Sequence, residues 1–458
     1  MQACSILPTF RNLGRETMST NNQLDLIGVG IGPFNLSIAA LSATKPQLSS
    51  LFFEKKEEFA WHPGLLLKDS KMQTSFLKDL VTGVDPTSPY SFLNYLVSQH
   101  KLHPFMASGQ TVISRLEFSD YMAWAAHQMP NTRFNSPVEA IDYHDGAFVV
   151  TSKGQEYRSQ HLVMGTGIQP YTPKCVESFM GSQCFHASEL ALHKPDLTNK
   201  RVAIIGGGQT GADVFQHVFD STFGKPAFIN WVSRRPNIES LDEGCFTDEY
   251  FMPDYVNGFY HLDQNKKDRE VSRQKLTSDG ITTDCLKGIY QRLYHDKYVL
   301  REPNWWTIQP NQTLVEMGKN GNAYKMQLTH GLTGSTSFVE ADVVILCTGF
   351  KRGLPKCLAK LMPQVETDAS GQAILSEDYA AKWQGSENNR IYMVNAGTRS
   401  HGIVEPQLSL AAWRAAKIIN NICDEPIYDI SENNHVLDWG LFEEHNPSQT
   451  EQRMTAMP

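Results

Sequence analysis

The stretch Leu24-Asp-Leu-Ile-Gly-Val-Gly-Ile-Gly-Pro-Phe-Asn-Leu-Ser-Ile-Ala-Ala-Leu41 constrains this chain more than any other. A short apolar run enters Gly28, Gly30 and Gly32, and apolar residues then return at helical spacing in Leu36, Ala39 and Ala40. That pattern predicts a strand, a tight turn and a helix. The glycines let the backbone turn sharply and approach a pyrophosphate, while the unpaired amides and the positive end of the helix dipole stabilise its charge. The next apolar run, Leu51-Phe-Phe-Glu54, ends in an acid at about the distance at which a ribose hydroxyl is gripped. The plain alternative is a strand-to-helix turn without a ligand, and the acid weighs against it. The last glycine of the pattern is replaced by Pro33.

A second loop, Arg201-Val-Ala-Ile-Ile-Gly-Gly-Gly-Gln-Thr-Gly-Ala-Asp-Val-Phe215, fits GxGxxG in full through Gly206, Gly208 and Gly211. Its following strand, Ala227-Phe-Ile-Asn-Trp-Val232, ends in Ser233-Arg234-Arg235 instead of an acid. A cation there can pair with a 2′-phosphate, so the first site is expected to take FAD and the second NADPH. A solvated arginine pair is the alternative. Two further strands end in glycine turns, Leu162-Val-Met-Gly-Thr-Gly167 and Val343-Val-Ile-Leu-Cys-Thr-Gly349, where backbone passes close to a cofactor or crosses into another domain.

These features predict an α/β protein with two Rossmann-like, doubly wound dinucleotide-binding domains and a small helical substrate region. The NADPH domain (199–337) is inserted into an FAD domain built from 20–198 and 338–425. Residues 1–19 are expected to be a disordered extension, with Met18 as good a start as Met1, and 426–458 a tail whose last dozen residues are disordered. Helices are expected over Ser91–Leu102 and Phe118–His127, with Arg115 capping the second or meeting a phosphate. An amphipathic helix start is expected at Lys275, closed by an Asp279-Gly280 turn. A net charge of −8 gives no footprint for nucleic acid or anionic membrane. No run reaches the ~20 apolar residues of a membrane span, and residues 1–17 lack the features of a secretory signal. The 8 cysteines never form CxxC, which argues against zinc, a redox dithiol or disulfides and suits a reducing cytoplasm.

An acid on one ribose and arginines on the other imply a redox enzyme passing hydride between two cofactors. A disulfide reductase would need a close cysteine pair. A Baeyer–Villiger-type monooxygenase would need F-x-G-x-x-x-H-x-x-x-W, but after Phe179 the histidine, His186, comes one residue late and position 190 is Leu. The segments Gly28–Leu36, Phe59-Ala-Trp-His-Pro-Gly64, Met72-Gln-Thr-Ser-Phe-Leu-Lys-Asp-Leu80, Gly206–Gly211, Leu346-Cys-Thr-Gly-Phe350 and His401-Gly-Ile-Val-Glu-Pro-Gln-Leu-Ser409 resemble, in order, the microbial lysine/ornithine N-monooxygenases of siderophore biosynthesis, nearest the lysine N6-hydroxylase branch. In that family the glycine loop ends in a non-glycine residue, so Pro33 fits. The usual Ala-Thr-Gly-Tyr reads Cys347-Thr-Gly-Phe350 here.

The resemblance implies N-hydroxylation of a terminal primary amine through a C4a-hydroperoxyflavin, with no side-chain acid, base or nucleophile and no metal. It implies that Gly28, Gly30, Gly32, Pro33, Glu54, Trp61, His62 and Gln73 serve FAD, together with Thr348, Gly349, Gln407 and Leu408. Gly206, Gly208, Gln209, Thr210, Gly211 and Arg234 serve NADPH. Lys78 matches the lysine that binds the substrate α-carboxylate, and Ser409 lies toward the amine end. Met252 and Asp279 stand where the ornithine-selective branch has asparagines, which disfavours ornithine and leaves lysine, cadaverine and putrescine open. A homotetramer is implied by the family alone. Two other readings stay open: an uncoupled NADPH oxidase, and a flavoprotein that binds nucleotide without turnover.

Overall fold

A computed structural model describes residues 23–353, 355–431 and 436–441. The predicted disorder of 1–19 and of the last dozen residues lies outside the described residues.

The first glycine unit forms as its pattern dictates. Strand Leu24–Val29 is almost wholly buried and pairs in parallel with Ser50–Phe53 on one side and Gln155–Met164 on the other. Thr132–Arg133 extends the first edge, and Ala147–Ser152 and Val138–His144 continue the other as an antiparallel meander. Ile391–Met393 also lies parallel to Gln155–Met164, so the chain returns to this sheet late. Helix Pro33–Ala43 packs on one face beside Ala411–Cys423. Pro33 at its first turn needs no amide partner and arrives with a helical φ, which is why a proline is tolerated there.

The second unit is built the same way. Its five parallel strands run in the order Trp306–Gln309, Phe228–Val232, Arg201–Ile205, Val343–Leu346, Cys184–His186. Helix Gln209–Phe219 covers one face, and a three-stranded antiparallel sheet (Gln312–Asn320, Ala323–His330, Thr336–Ala341) covers the other. This corrects the expected boundaries. Cys184–His186 and Val343–Leu346, expected in the FAD domain, both hydrogen-bond within the second sheet. The chain crosses earlier on the way out and later on the way back. Both crossings form one ribbon, in which Ile168–Pro170 runs antiparallel to Phe350–Arg352. The two glycine turns, Gly165-Thr-Gly167 and Cys347-Thr-Gly349, feed directly into its strands.

The helix expected over Ser91–Leu102 is two, Phe92–Ser98 and Leu102–Ser108, and the one at Phe118–His127 runs Arg115–Gln128. Ser114, not Arg115, caps it by accepting from the Glu117 amide (3.1 Å). A helical region follows strand Phe228–Val232: Pro253–Tyr260, Gln264–Arg273, Lys275–Asp279 and Thr283–Tyr294. Part of the expected tail is structured. Trp439 stacks on Tyr250 (centroids 5.1 Å apart), and Leu441 packs where Gly258 lacks a side chain.

Two buried histidines outside the cleft are kept neutral. The His161 Nδ1 accepts from the Arg390 amide (3.1 Å), and burial, aided by the Arg390 charge, lowers its pKa to about 4. His401 stacks on Tyr379 at 4.0 Å, and burial lowers it to about 3. An unfolded imidazole takes its proton near 6.5. Between these values the unfolded chain binds more protons, so this stability is complete above about pH 6.5 and drains away as pH falls toward 4 and then 3. Denaturant midpoints measured from pH 7.5 to 4 should fall across that window, and His161→Asn, which keeps an acceptor, should flatten the slope; a slope unchanged in the variant would refute the assignment.

Candidate active site

The two glycine loops meet the same packing problem and solve it alike. Gly30 has φ +86°, and a Cβ there would sit 2.6 Å from the Gly165 carbonyl oxygen. A Cβ on Gly28 would enter the Phe52 ring. In the second loop, Gly206 (φ +134°) lies against the Cys347 carbonyl, at 2.0 Å for an added Cβ, and Gly211 against the Gly206 carbonyl. Gly30, Gly206 and Gly211 are therefore demanded by backbone packing, and Gly28 by the Phe52 ring. Gly32 and Gly208 differ: a Cβ on Gly32 meets only the Gly165 oxygen, at 3.9 Å, and one on Gly208 meets nothing within 4 Å. Each is the N-cap of an eleven-residue helix, and neither supplies a side-chain cap. Two glycine-capped helix N-termini with free space in front fit two pyrophosphates.

Gly208→Ala should therefore leave stability within about 1 kcal/mol of the parent, because its φ of −102° suits alanine, while raising the nucleotide Kd. Gly206→Ala should destabilise by more than about 2 kcal/mol. Denaturation beside nucleotide titration checks the pair, and equal stability losses would overturn the distinction.

A cleft of about 1170 Å³ runs between the units. Its walls bring together Gln73, Gly206, Gly208, Gln209, Thr210, Arg234, Asp279, Thr348 and Gly349 among the predicted residues. Gln209 is fully oriented: its amide donates to Asp213 (2.8 Å) and its oxygen accepts from the Thr282 amide (2.9 Å). Gln73 reaches it across the cleft at 3.5 Å. Thr348 donates to the Tyr171 carbonyl, and His186 lies within 3.0 Å of the Gly349 carbonyl through Nε2. The arginine pair divides its work. Arg235 donates to the Asp279 carbonyl (2.9 Å) and faces Glu239, whereas Arg234 is exposed on the cleft wall.

Glu54 turns back on its own loop, accepting from the amides of Ile31 (2.9 Å) and Lys56 (3.1 Å). It thus fixes the first glycine turn and keeps lone pairs for a hydroxyl. Trp61 is covered by the Arg115 guanidinium at 4.9 Å, and His62 packs on Phe350 at 5.4 Å. His62 is held at about pKa 4, mainly by burial and then by Arg115 and Lys56.

Lys78 is half-buried on a turn beneath which Phe76 packs on Phe92 and Phe105. Met252 caps helix Pro253–Tyr260, and Ser409 is half-buried after Leu408, which packs on the first core. These residues lie outside the main cleft as lined by the described residues. Gln407 ties its loop to the short Lys275–Asp279 helix by donating to the Ser278 carbonyl (3.2 Å). Asp279 is paired with Lys275 at 2.6 Å, an exposed i,i+4 bridge.

Asp213 was missed. It gathers Ser70 (3.1 Å), Gln209 and the field of Arg115, and burial raises its carboxyl above the usual range. Its signal is a carboxylate two residues past Gly211, inside the helix that the second glycine loop opens.

Among the described residues no helix is long and apolar enough to cross a membrane. Residues 22–352 match the family model for L-lysine 6-monooxygenase/L-ornithine 5-monooxygenase. The chain is 45% identical to the L-lysine N6-monooxygenase of Escherichia coli over 91% of its own length and 98% of that protein's. It is 32% identical to the putrescine N-hydroxylase of Acinetobacter baumannii, covering 91% and 93%. The solved FAD-bound cadaverine monooxygenase of the desferrioxamine pathway from Erwinia amylovora superposes with a TM-score of 0.86 at 27% identity, over 93% of this chain and 100% of that one. Paired glycine cradles, the order of the motifs and this likeness along nearly the whole chain lead to one statement: the protein belongs to the L-lysine 6-monooxygenase/L-ornithine 5-monooxygenase family.

Proposed function

We propose that this protein is an NADPH- and O2-dependent flavin N-hydroxylase acting on the terminal primary amine of L-lysine, or of a related diamine such as cadaverine or putrescine, for hydroxamate siderophore synthesis. The observation that carries the reading is the pair of uncapped, glycine-led helix N-termini, the second on the cleft wall and the first packed on Gly165 next to the lining residues Thr166 and Gly167, with the first strand pair ending in Glu54 and the second in Arg234. FAD, when bound, supplies the centre that accepts hydride from NADPH and activates O2. Gly28, Gly30, Gly32, Pro33, Glu54, Thr348 and Gly349 would hold it, together with Trp61, His62, Gln73, Gln407 and Leu408. Gly206, Gly208, Gln209, Thr210, Gly211 and Arg234 would hold NADPH. The dinucleotide unit inserted between the two ribbon strands would be the NADPH domain.

Lys78 would receive a substrate carboxylate, which favours lysine over a diamine; Met252 offers no amide there, which favours the diamine. Ser409 would lie near the amine end. The reacting amine must be unprotonated, and its reference pKa of about 10.4 makes activity rise from pH 6 to 9. Tyr171, Phe350 and the Thr348–Gly349 backbone line the cleft and would limit the access of water to a cofactor bound there. The chain would act in the cytoplasm as a homo-oligomer, a tetramer by family likeness, which sedimentation tests.

Following NADPH loss and hydroxylamine formation side by side with lysine, ornithine, cadaverine and putrescine tests the proposal. Lysine or a diamine should give hydroxylamine in step with NADPH loss, and ornithine little. If no amine yields hydroxylamine, the reading is wrong.

A further inference from the structure

Arg352 ends the returning strand of the ribbon and lines the cleft. Its Nε donates to the Asn395 carbonyl (2.8 Å) and its Nη2 to the Thr398 hydroxyl (2.5 Å). Its Nη1 has no hydrogen bond among the described residues. Behind it lie Glu405, wholly buried, and Arg414, 1% exposed, with Nε and Oε2 3.1 Å apart. The second Glu405 oxygen accepts from the Ala396 amide (3.1 Å). The charges felt at Arg352 are those of Glu405 and Arg414. Glu405 is bridged to Arg414, and Arg352 makes no ion pair among the described residues, so its charge has no partner of its own.

Uncompensated charge at a largely buried position is costly unless an opposite charge arrives. The place where it would arrive is specific. Asn395 and Ala396 follow strand Ile391–Met393, which runs beside Gln155–Met164 and its Gly165-Thr-Gly167 end. Arg352 thus stands just past the carboxyl ends of the first sheet's parallel strands, the side on which open α/β sheets bind ligands. Arg414 lies over the Phe34 ring at 4.7 Å, one residue past Pro33 in the first glycine turn.

We propose that Arg352 places its charge on an anionic part of the dinucleotide held by the first glycine loop, either its pyrophosphate or its reduced ring. This rests on the assignment of FAD to that loop. Full-length wild type, Arg352→Met, Arg352→Lys and Thr398→Val would be compared for oxidised-FAD Kd, for reduction potential by dye equilibration, and for unfolding midpoint. If the pyrophosphate is the partner, Arg352→Met raises the oxidised Kd at least tenfold with the potential unchanged. If the reduced ring is the partner, the oxidised Kd holds and reduced FAD binds tenfold more weakly, which makes the potential about 30 mV more negative for a two-electron couple.

Arg352→Lys, which keeps the charge but cannot make both fastening bonds, should retain most of the wild-type value. Thr398→Val, which removes one fastening bond and keeps the charge, should shift whichever quantity Arg352→Met shifts, by less. A Met variant equal to wild type in both readouts, or a Lys variant as impaired as Met, overturns the proposal. A wild type that binds no FAD overturns the cofactor assignment instead.

Discussion

Arg234→Ala is expected to raise the KM for NADPH about 10- to 100-fold while leaving that for NADH nearly unchanged. The magnitude is that of one lost charge-assisted hydrogen-bonding group, about 1.5–3 kcal/mol. The contrast between cofactors isolates the 2′-phosphate, because the two differ only there. The neighbour provides an internal control. Arg235 holds the Asp279 carbonyl and lies by Glu239, so Arg235→Ala should loosen that turn and weaken both cofactors together. Steady-state kinetics with each cofactor decides the matter, and equal effects of Arg234→Ala on the two would sink the assignment.

Glu405→Gln should lower the unfolding free energy by about 3–5 kcal/mol, the cost of stranding a buried guanidinium. Arg414 cannot reach water by changing rotamer, since its head is wedged between Phe34 and Tyr379. Its Nε and Nη1 already lack well-aligned acceptors, so the Coulombic attraction of Glu405 is what makes burial tolerable. Glu405→Leu combined with Arg414→Met should recover much of the loss, because an apolar pair of similar volume avoids desolvating either charge. Chemical denaturation of the single and double variants measures this directly, and a double variant no more stable than Glu405→Gln would refute the expected recovery.

The glycine loops were legible because backbone demands leave a residue-type signature. No other side chain tolerates Gly206 against the Cys347 carbonyl, and few replace Gly30 against Gly165. The ends of the two nucleotide strands were legible for a related reason, since Glu54 and Arg234 stand where strand geometry delivers them. Sheet membership was not. Leu162–Gly167 and Val343–Gly349 are near twins in sequence, both apolar runs closed by a glycine turn, and a parallel strand buried on both faces carries no mark of its partners. Only pairing shows that the second belongs with Arg201–Ile205.

Arg352, Glu405 and Arg414 were invisible for a different reason. Isolated charged residues read as solvent-facing, and their convergence depends on three segments meeting in space. The docking of Trp439 on Tyr250 was hidden in the same way, because a single aromatic in a polar tail has no periodicity to betray it.

The ribbon that joins the two units has a consequence for protein engineering. Pro170 and Phe350 face each other across it, and directly opposed residues in an antiparallel pair have Cα atoms about 4.5–5.5 Å apart. Replacing everything between them with Asn-Gly would close the ribbon as an ordinary hairpin. One cut-and-splice at that point would excise the second nucleotide unit and leave the first as a continuous chain, and the same point would accept a foreign domain in its place.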